Sequence, residues 1–449
     1  MRKKIGYAFG DMGISISYFA VGFFFIYYLT DIVGMTPFLA GLAFFVGKLW
    51  DGVNDPIMGV LSDRTRSRYG RKRVYILFGA LPLAVSFILL WMIPIHASEW
   101  LQFLLAVLSL TLYATAYTVV VVPYMALVPV MTDDYDERTQ ITGLRAILST
   151  FGTILGGGAA LLVASFSNEV IGLRTITTGF GLFTLICLLI ASRSVRGVED
   201  TPSPDAAIVT FSLPQYLALI REKNVYLLLM LKFFGAIATG SLSASLPYFA
   251  EHVLGDSGKS TIGLALYVIV SAIVIPLWNR STHRFDKRAL LLVGNGASAL
   301  VLFGMGFLIR EGNTTLFYLG CVLLGLAMSA YLLIPYSLVP DLVDFYEHKT
   351  GERHESIFFG LWITVHQLGI SFAGLILGAA LNAFGYRGDV STQTAAAVFA
   401  VRLSFGLIPG LFLVVAALIV QRYEVTRSVY QKVRVELEQR TARASSGPK

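Results

Sequence analysis

Two carboxylates, Asp51 and Asp55, stand four residues apart in the stretch KLWDGVNDPIMGVLSDRTRSRYGRKR, which runs from Lys48 to Arg73. Four residues make about one turn of an α-helix, so both side chains would share one face, about 6 Å apart along the axis. The segments 38–45 and 57–61 on either side are apolar enough to lie in a bilayer. A charged carboxylate at that depth costs about 3 kcal/mol or more, and such residues are usually functional. The pair therefore predicts a site for a small cation.

The chemistry of this pair suits a proton or a hard metal cation. Two carboxylates this close repel each other when both are charged, so one tends to hold a proton or both share a metal ion. A hard cation such as Na⁺ takes oxygen ligands, and Asn54 offers a neighbouring amide, to which hydroxyl groups from another helix can add. Asp51, Asp55 and Asn54 are therefore the predicted cation ligands. The alternative is that one or both aspartates pair permanently with Lys48 or Arg145 as structural ion pairs.

The composition is that of an integral membrane protein. Of the 449 residues, 55% are hydrophobic and only 14% are charged, and the mean hydropathy is +0.69. Apolar segments long enough to cross a hydrocarbon layer of about 30 Å recur along the whole chain, and in lipid such segments must be helical. The formal net charge of +7 comes from cations in short loops. It therefore indicates membrane topology and contact with lipids, and no nucleic-acid partner is expected.

The apolar segments predict an all-α membrane protein with twelve transmembrane helices in two sets of six. The predicted spans cover about residues 6–31, 37–62, 73–95, 100–126, 139–166 and 174–193, and then 225–251, 260–280, 288–310, 314–340, 354–382 and 396–421. The chain would divide into an N-terminal six-helix bundle (1–193), a polar cytoplasmic linker (194–223), a C-terminal six-helix bundle (224–421) and a charged cytoplasmic tail (422–449). The linker is assigned because it combines prolines with charged residues.

Loop cations predict the orientation in the membrane. The loop after the second span contains six of them: Arg64, Arg66, Arg68, Arg71, Lys72 and Arg73. The turns on the opposite side, PIHASEW and DIVGMTP, contain no lysine or arginine. The excess of positive charge inside places this loop and both termini in the cytoplasm, with the chain spanning a plasma membrane of bacterial type many times.

The two halves resemble each other. The segment PYMALVPVMTDDYDERT from Pro123 is similar to PYSLVPDLVDFYEHKTGER from Pro335. Each begins with Pro-Tyr near the end of a span and continues through a second proline into an acidic loop that contains tyrosine. Matching landmarks at matching positions predict two pseudo-symmetric bundles with a central cavity between them.

The segment from Gly59 to Arg73, GVLSDRTRSRYGRKR, resembles the loop that marks the major facilitator superfamily. That loop has a glycine, an apolar residue, an Asp-Arg pair and then Gly-Arg-Lys/Arg. The resemblance implies a gating role for Asp63, Arg64, Gly70 and Arg71, since an acidic side chain paired with arginines can latch the halves together on one side. The alternative is that the arginines only set the topology.

Four further segments resemble a more specific family, the glycoside–pentoside–hexuronide cation symporters of the melibiose permease group: YYLTDIVG, LWDGVNDPIMG, PYMALVP and TGERHESIFFG. They run in matching order through nearly the whole chain. The resemblance implies a twelve-helix major facilitator fold and uptake of a small solute, a sugar or glycoside, coupled to Na⁺, H⁺ or Li⁺ by alternating access. It also implies that Asp51 and Asp55 hold the coupling cation, and that Arg145 is a substrate clamp or a gating ion-pair partner.

Four positions depart from this family where it binds sugar or cation. Ser15 and Val121 stand in place of sugar-binding aspartates, Met125 in place of a tryptophan, and Gln367 in place of a lysine. An unpartnered buried sugar hydroxyl costs about 1–3 kcal/mol, so the solute is held by other groups or is less polar than a sugar. The predicted substrate-binding residues are Tyr117, Arg145, Trp362, His366 and Gln367.

Other functions remain open at this stage. An apolar wall at Val121 and Met125 would suit an acyl chain, which favours a transporter of a lysolipid or another amphiphile as the alternative. A membrane sensor that transports nothing is the alternative from another class. No glycine-rich nucleotide loop and no nucleophile beside a base occur, so an enzyme is not expected. No cofactor is predicted beyond a coupling Na⁺ or H⁺, and the chain is expected to work as a monomer.

Overall fold

The computed structural model describes residues 2–132, 134–198, 219–351, 355–390 and 392–445, and these residues form helices and no strand. Twelve long helices lie among the described residues before 421. The first six are α1 (Arg2–Tyr27), α2 (Pro37–Arg64), α3 (Arg73–Leu90), α4 (Glu99–Met125), α5 (Tyr135–Gly157) and α6 (Glu169–Ser194). The second six are α7 (Lys223–Leu254), α8 (Gly258–Thr282), α9 (Lys287–Leu308), α10 (Thr314–Thr350), α11 (Glu355–Ala383) and α12 (Ala395–Val420).

Ten helices of the described residues are long and apolar enough to cross a membrane. The other two long helices are α2 and α5, which correspond to the predicted spans 37–62 and 139–166. Their lower hydropathy has a simple cause, because α2 contains Lys48, Asp51 and Asp55, and α5 contains Arg145. Polar groups in a spanning helix lie toward the protein interior rather than toward lipid. The two least apolar helices therefore contribute most of the charged groups at the centre of the N-terminal half.

The first span ends within one residue of the prediction, in a π-helical turn, Tyr28–Ile32, but several other helix ends differ. Helix α3 ends at Leu90, before the predicted 95, and α6 begins at Glu169, before the predicted 174. The fifth span is interrupted at Gly158, the last of three consecutive glycines, and a short helix, Ala159–Val163, follows it. Helix α10 runs ten residues beyond the predicted end, to Thr350, although it contains Pro340. Proline is tolerated in such helices because neighbouring groups satisfy the freed carbonyls.

The two halves fix their third helices in the same way. In each half, a lysine at the start of the third helix donates to a carbonyl just after the Pro-Tyr pair of the fourth, and the next arginine donates to a carbonyl near the end of the sixth. The four bonds are Lys72 to Ala126 (2.9 Å), Arg73 to Ser192 (2.7 Å), Lys287 to Ser337 (3.0 Å) and Arg288 to Tyr423 (3.3 Å). Because the same contacts occur at matching positions, the two six-helix bundles are pseudo-symmetric.

The bundles meet mainly through α2 against α11, with α1 against α7 and α5 against α8. Near the start of α2 the contact is backbone to backbone: a Cβ at Gly41 would lie 2.6 Å from the carbonyl oxygen of Gly374. About three turns further along α2, a Cβ at Gly52 would meet nothing closer than Thr364, at 3.7 Å. The helices therefore touch at the end where α1 meets α2, here called the distal end, and diverge toward the end that carries the arginine-rich loop.

A polar cluster closes the distal end. The Tyr386 hydroxyl, from the loop after α11, donates to Asp31 Oδ1 at 2.6 Å and lies 2.6 Å from His252 Nε2 of α7. Thr30 lies 2.7 Å from the Tyr248 hydroxyl, Oγ1 to Oη. Burial, reinforced by the Asp31 carboxylate, raises the pKa of Tyr386 above its usual range, so this hydroxyl stays a donor. The cluster joins the end of α1 to the second bundle.

The tail packs against the second bundle. After α12 the chain forms a helix, Arg427–Ser445, that contacts α10. The Tyr430 hydroxyl donates to Asp344 Oδ2 at 3.2 Å, and His348 Nε2 lies 2.5 Å from Glu436 Oε2. The predicted linker, 194–223, falls largely outside the described residues, which resume at Leu219.

Candidate cation and solute site

The two predicted carboxylates lie inside the first bundle with different partners. Lys48 and Asp51 are both buried, and the Lys48 ammonium donates to Asp51 Oδ2 at 2.9 Å. Asp55, one turn further along α2, accepts from the hydroxyl of Thr118 on α4, at 2.7 Å to its Oδ1. The ion pair that the sequence left open as an alternative is therefore present for Asp51. Asp55 has a neutral donor instead.

Polar atoms of this cluster retain unused binding capacity. Asp51 Oδ1 and Asn54 Nδ2 are buried without a hydrogen-bond partner, although buried polar groups are nearly always paired. Four oxygen-bearing groups, those of Asp51, Asn54, Asp55 and Thr118, thus lie on facing positions of α2 and α4. Oxygen ligands suit an alkali cation, and a carboxylate also takes a proton. Among the described residues, no group of three His, Cys, Asp or Glu side chains could hold a metal ion, which does not favour a transition-metal site.

Aromatic rings surround the charged cluster. The Lys48 ammonium lies 4.9 Å from the ring centre of Tyr18 on α1. The ring of Tyr117, a predicted substrate-binding residue, packs 5.5 Å from Tyr18 and 5.8 Å from Tyr113. Tyr117 is half-buried, and it stands one residue before Thr118 on α4. Tyr117, the predicted substrate-binding residue of the first bundle, therefore lies in the same region as the predicted cation ligands.

The other predicted solute residues come together on α11. Trp362 is buried and packs its ring 5.5 Å from Tyr336 of α10. His366 and Gln367 follow one turn later, and His366 Nδ1 and Gln367 Oε1 are buried without partners. Thr364, which stands between Trp362 and His366, is the nearest neighbour that a Cβ at Gly52 of α2 would meet, at 3.7 Å. This part of α11 therefore lies beside the part of α2 that carries Asp51 and Asp55, across the boundary between the bundles.

Arg145 lies apart from that group, in an ion pair within the first bundle. Its Nε donates to Asp11 Oδ2 at 2.6 Å and its Nη2 to Asp11 Oδ1 at 3.2 Å. The Tyr124 hydroxyl also donates to Asp11, at 2.7 Å, and the guanidinium lies over the rings of Tyr7 and Tyr124, at 5.7 and 5.2 Å. Helices α1, α4 and α5 are joined by this network. Because this ion pair lies within one bundle, the arrangement favours a structural ion pair over the two predicted roles of Arg145, a substrate clamp or a gating ion-pair partner.

Three of the positions that depart from the family pattern lie in the first bundle, and their surroundings differ. Ser15 Oγ lies 2.7 Å from Ser149 Oγ, and Val121 is half-buried against the apolar core. Met125 is half-exposed, and its sulfur lies 2.6 Å from Arg145 Nη2. None of these three side chains supplies the carboxylate that the family pattern has at Ser15 and Val121.

The predicted gating residues lie at the arginine-rich loop. Gly70 takes a φ of +97°, a conformation that glycine adopts readily and that turns the chain back toward α3. Arg64, at the end of α2, is exposed, whereas Arg71 is half-buried. The side chain of Asp63 lies outside the described residues, so its gating role stays a prediction.

Three charged or polar residues near the site were not singled out from the sequence: Asp11, Thr118 and Lys232. Asp11 and Lys232 carry a usable signal, because each is a charged residue inside an apolar span. Thr118 carries none, because a threonine in a helix commonly bonds its own backbone. Only the approach of α4 to α2 reveals it.

Comparison with known proteins agrees with this architecture. The family of MFS/sugar transport proteins matches residues 6–427. The inner membrane symporter YicJ of Escherichia coli is 27% identical over 94% of this chain and 91% of its own length. The sodium-dependent lysophosphatidylcholine symporter 1 of Gallus gallus is 25% identical over 94% of this chain and 86% of its own length.

Solved structures share the fold at low sequence identity. The crystal structure of the nucleoside transporter NupG superposes with a TM-score of 0.68 at 12% identity, covering 94% of this chain and all of that one. A structure of a proton-dependent oligopeptide transporter gives the same TM-score, 0.68, at 13% identity. Twelve long helices, two pseudo-symmetric bundles and a family match along nearly the whole sequence lead to one conclusion. The chain belongs to the family of MFS/sugar transport proteins, and it is a secondary transporter with the major facilitator fold.

Proposed function

We propose that the protein couples uptake of a small solute to a cation bound at Asp51 and Asp55, by alternating access between the two bundles. The observation that carries this proposal is the unequal pairing of the two carboxylates. Asp51 is neutralised by Lys48, whereas the partner of Asp55 among the described residues is the neutral hydroxyl of Thr118. A half-buried carboxylate at membrane depth without an ion-pair partner is unfavourable, so Asp55 favours binding of a cation.

Charge counting sets the number of coupling ions at one. Lys48 contributes one positive charge and the two aspartates contribute two negative charges, so the cluster has a net charge of −1. A single Na⁺ or H⁺ makes it neutral. The unused oxygen of Asp51 and the hydroxyl oxygen of Thr118 would complete the shell of a Na⁺ ion, and a flip of the Asn54 amide would turn its oxygen toward the ion in place of the unpartnered Nδ2. Names of relatives support sodium, since one is a sodium-dependent symporter.

The solute would bind across the boundary between the bundles. Tyr117 on one side and Trp362, His366 and Gln367 on the other are the proposed contacts, because these aromatic and polar residues lie on the parts of the two bundles beside the cation cluster. A sugar or glycoside is the proposed main substrate class by family membership. Since cation and solute residues all come from one chain, a monomer is sufficient for transport.

The distal contacts support alternating access. Thr30, Asp31, Tyr248 and Tyr386 hold the two bundles together at that end, while α2 and α11 diverge at the other. The arginine-rich loop lies at the diverging end. From the excess of positive charge inside, we propose that this end, the linker and both termini lie in the cytoplasm of a bacterial cell, that the solute pathway opens inward, and that lipids surround the helices.

An amphiphile is the second candidate substrate. A pocket between α1, α7, α8 and α10 is lined by apolar side chains such as Phe23, Leu242, Leu264 and Leu324, and it has room for part of an acyl chain. Two relatives are named as lysophosphatidylcholine symporters, from Gallus gallus and Danio rerio. An apolar wall at Val121 and Met125 would suit the same kind of solute.

Uptake by the purified chain in proteoliposomes tests the proposal. Sugars, lysolipids and organic acids are offered with and without a Na⁺ gradient and at two pH values. Accumulation should follow one ion gradient and should be lost in Asp55→Asn but kept in Asp389→Asn, a matched change at an exposed loop carboxylate. Uptake that ignores every ion gradient and survives Asp55→Asn would refute coupling at this site. No accumulation of any solute would instead indicate a sensor.

A further inference from the structure

Lys232 is a buried cation that the proposed function does not use. It lies on α7 among apolar residues, and only 3% of it is exposed. Among the described residues, no carboxylate lies within ion-pair distance of its ammonium. A charged side chain at membrane depth is rarely left without a partner, and such residues mark substrate or ion pathways. Its missing partner is therefore the first clue to a ligand.

Three aromatic rings form a cage around this ammonium. Its Nζ lies 4.7 Å from the ring centre of Tyr336, 4.8 Å from that of Trp362 and 5.7 Å from that of Tyr331. The Tyr331 hydroxyl donates to the main-chain carbonyl of Lys232 at 3.2 Å, which fixes the helix at this point. Aromatic faces stabilise a cation only in part, so the charge is positioned but not neutralised.

The cage opens toward the cation cluster. Tyr336 is half-exposed, so one wall of the cage is accessible, and Trp362 lies on the part of α11 that approaches α2 beside Asp51. Next to the cage, His366 Nδ1 and Gln367 Oε1 are buried without partners. Since the assignment of an amide oxygen and nitrogen is interchangeable, Gln367 can present a donor to an anion instead. The cage and the cation cluster thus lie on neighbouring parts of the two bundles, and the region between them is here called the central space.

We infer that Lys232 binds the negatively charged group of a monoanionic solute, a carboxylate or a phosphate ester, whose uncharged part packs on Trp362 and Tyr336. The inference rests on the proposed cation site and names the substrate class that this site serves. It also assigns the positive charge that binds the solute to Lys232 on α7. The family that the sequence resembles has a lysine on α11 instead, at the position where this chain has Gln367.

Charge balance explains why such a solute would be coupled strictly to one cation. Lys48 and Lys232 together balance Asp51 and Asp55, and Arg145 balances Asp11. The central space is therefore neutral when it is empty and neutral when it holds one cation with one monoanion. A bound cation neutralises the Asp55 cluster but leaves the charge of Lys232 without a partner, and a bound monoanion does the reverse, so each ligand favours binding of the other. Transport of the pair would be electroneutral.

Matched ligand pairs test the substrate class in the wild-type protein. Purified full-length chain in proteoliposomes is offered gluconate beside glucose, glycerol 3-phosphate beside glycerol, and lysophosphatidate beside monoacylglycerol, all at pH 5, where a phosphate monoester carries mainly one charge because its second pKa is about 6. We expect the anionic member of one pair to be taken up at least tenfold faster than its neutral counterpart. The pair that responds distinguishes a small carboxylate, a small phosphate ester and a lipid phosphate. Equal uptake within every pair, or preference for the neutral members, overturns the inference.

Variants then assign the charge to Lys232. Lys232→Gln should lower uptake of the responding anion at least tenfold while Na⁺ still raises the melting temperature of the purified protein. Lys232→Arg should retain part of the uptake, and Lys223→Gln, at the exposed start of the same helix, should leave it unchanged. Uptake by Lys232→Gln at the wild-type rate contradicts the assignment. If Lys232→Gln does not fold, Lys232→Arg and the wild-type ligand pairs still decide.

Failure of this inference and failure of the proposed coupling look different. Ion-driven uptake of neutral solutes only, with loss in Asp55→Asn, would refute the role of Lys232 and leave the coupling intact. Uptake of an anion that depends on Lys232 but on no ion gradient would refute the coupling and leave the role of Lys232 intact. Clamping the membrane potential with K⁺ and valinomycin adds a third readout, since electroneutral transport should not respond to it.

Discussion

Thr118 donates its hydroxyl hydrogen from α4 to Asp55 on α2, over 2.7 Å, whereas the neighbouring Asp51 is paired with the ammonium of Lys48. The two aspartates therefore have the same side chain and different roles. Asp51 is part of a neutral ion pair with one oxygen still unused, and Asp55 is the carboxylate that needs an external charge. This asymmetry makes the effects of substitutions at Thr118 and Lys48 predictable.

Thr118→Val should weaken cation binding without unfolding the protein. The substitution keeps the shape of the side chain but removes a hydroxyl that both bonds Asp55 and can ligate Na⁺. Loss of one such contact corresponds to about 1–3 kcal/mol, so the Na⁺ concentration that gives half of the full stabilisation should rise about tenfold or more. Thermal unfolding of the detergent-solubilised protein across a Na⁺ series measures this midpoint.

The control for that experiment is Thr118→Ser, which keeps the hydroxyl. Its Na⁺ midpoint should remain near that of the wild type. Thr115→Val, three residues earlier on α4, removes a hydroxyl that accepts from Trp50 instead. A Na⁺ midpoint that is unchanged in Thr118→Val would show that this hydroxyl is not a ligand.

Lys48→Met should make stability depend more strongly on cations. Breaking a buried ion pair on one side costs about 3–5 kcal/mol, because the remaining charge is left without a partner. In this variant two uncompensated carboxylates remain, so the melting temperature without Na⁺ should fall, and added Na⁺ should restore more of it than in the wild type.

The double variant Lys48→Met with Asp51→Asn completes a thermodynamic cycle. It should be more stable than Lys48→Met alone, since it removes the pair as a unit. Its cluster keeps only the charge of Asp55, so it should still respond to one cation. If the double variant is no more stable than the single one, the 2.9 Å contact between Lys48 and Asp51 does not contribute as an ion pair.

The sequence was sufficient to predict the twelve helices and the carboxylate pair. Charged residues inside apolar spans are conspicuous, and Asp51 with Asp55 shows the spacing of one helical turn. The same rule would have pointed to Asp11 and Lys232. Their partners were not predictable, because the ring of Trp362 and the guanidinium of Arg145 reach them from helices far away in the chain.

Helix ends were less predictable, for a related reason. The break after Gly157 and the extension of α10 past Pro340 depend on what neighbouring helices offer to the backbone at those points. Hydropathy measures only how apolar a segment is. It therefore locates a span but does not show where its last hydrogen bond forms.

Gly41→Ala should prevent closure of the distal end. A Cβ at this position would lie 2.6 Å from the carbonyl oxygen of Gly374, and backbone atoms cannot move aside as a side chain can. The substitution should therefore shift the protein toward a state that is open at the distal end. Gly52→Ala, on the same helix and facing the same partner, meets only Thr364 at 3.7 Å and should change little.

Accessibility of a single cysteine reports this shift. Thr30→Cys, in a chain whose buried Cys187 and Cys321 are replaced by serine, places a thiol in the distal contact. A membrane-impermeant maleimide should label it several-fold faster in the presence of Gly41→Ala than in the presence of Gly52→Ala. Equal labelling in the two backgrounds would mean that the distal end opens without a separation of α2 from α11 at Gly41.

Arg145 and Asp11 provide the test between a structural ion pair and a solute clamp. Arg145→Gln and Asp11→Asn should each lower the melting temperature, because each leaves the other charge buried beside Tyr124 without its partner. The double variant should recover most of this loss and keep its Na⁺ response, because α1, α4 and α5 retain neutral hydrogen bonds. Arg145→Lys should not substitute for arginine, since lysine cannot make the paired bonds to both oxygens. If the double variant is as stable as expected but no longer takes up the solute, Arg145 contacts the solute directly, and the ion pair with Asp11 is the resting state of a clamp.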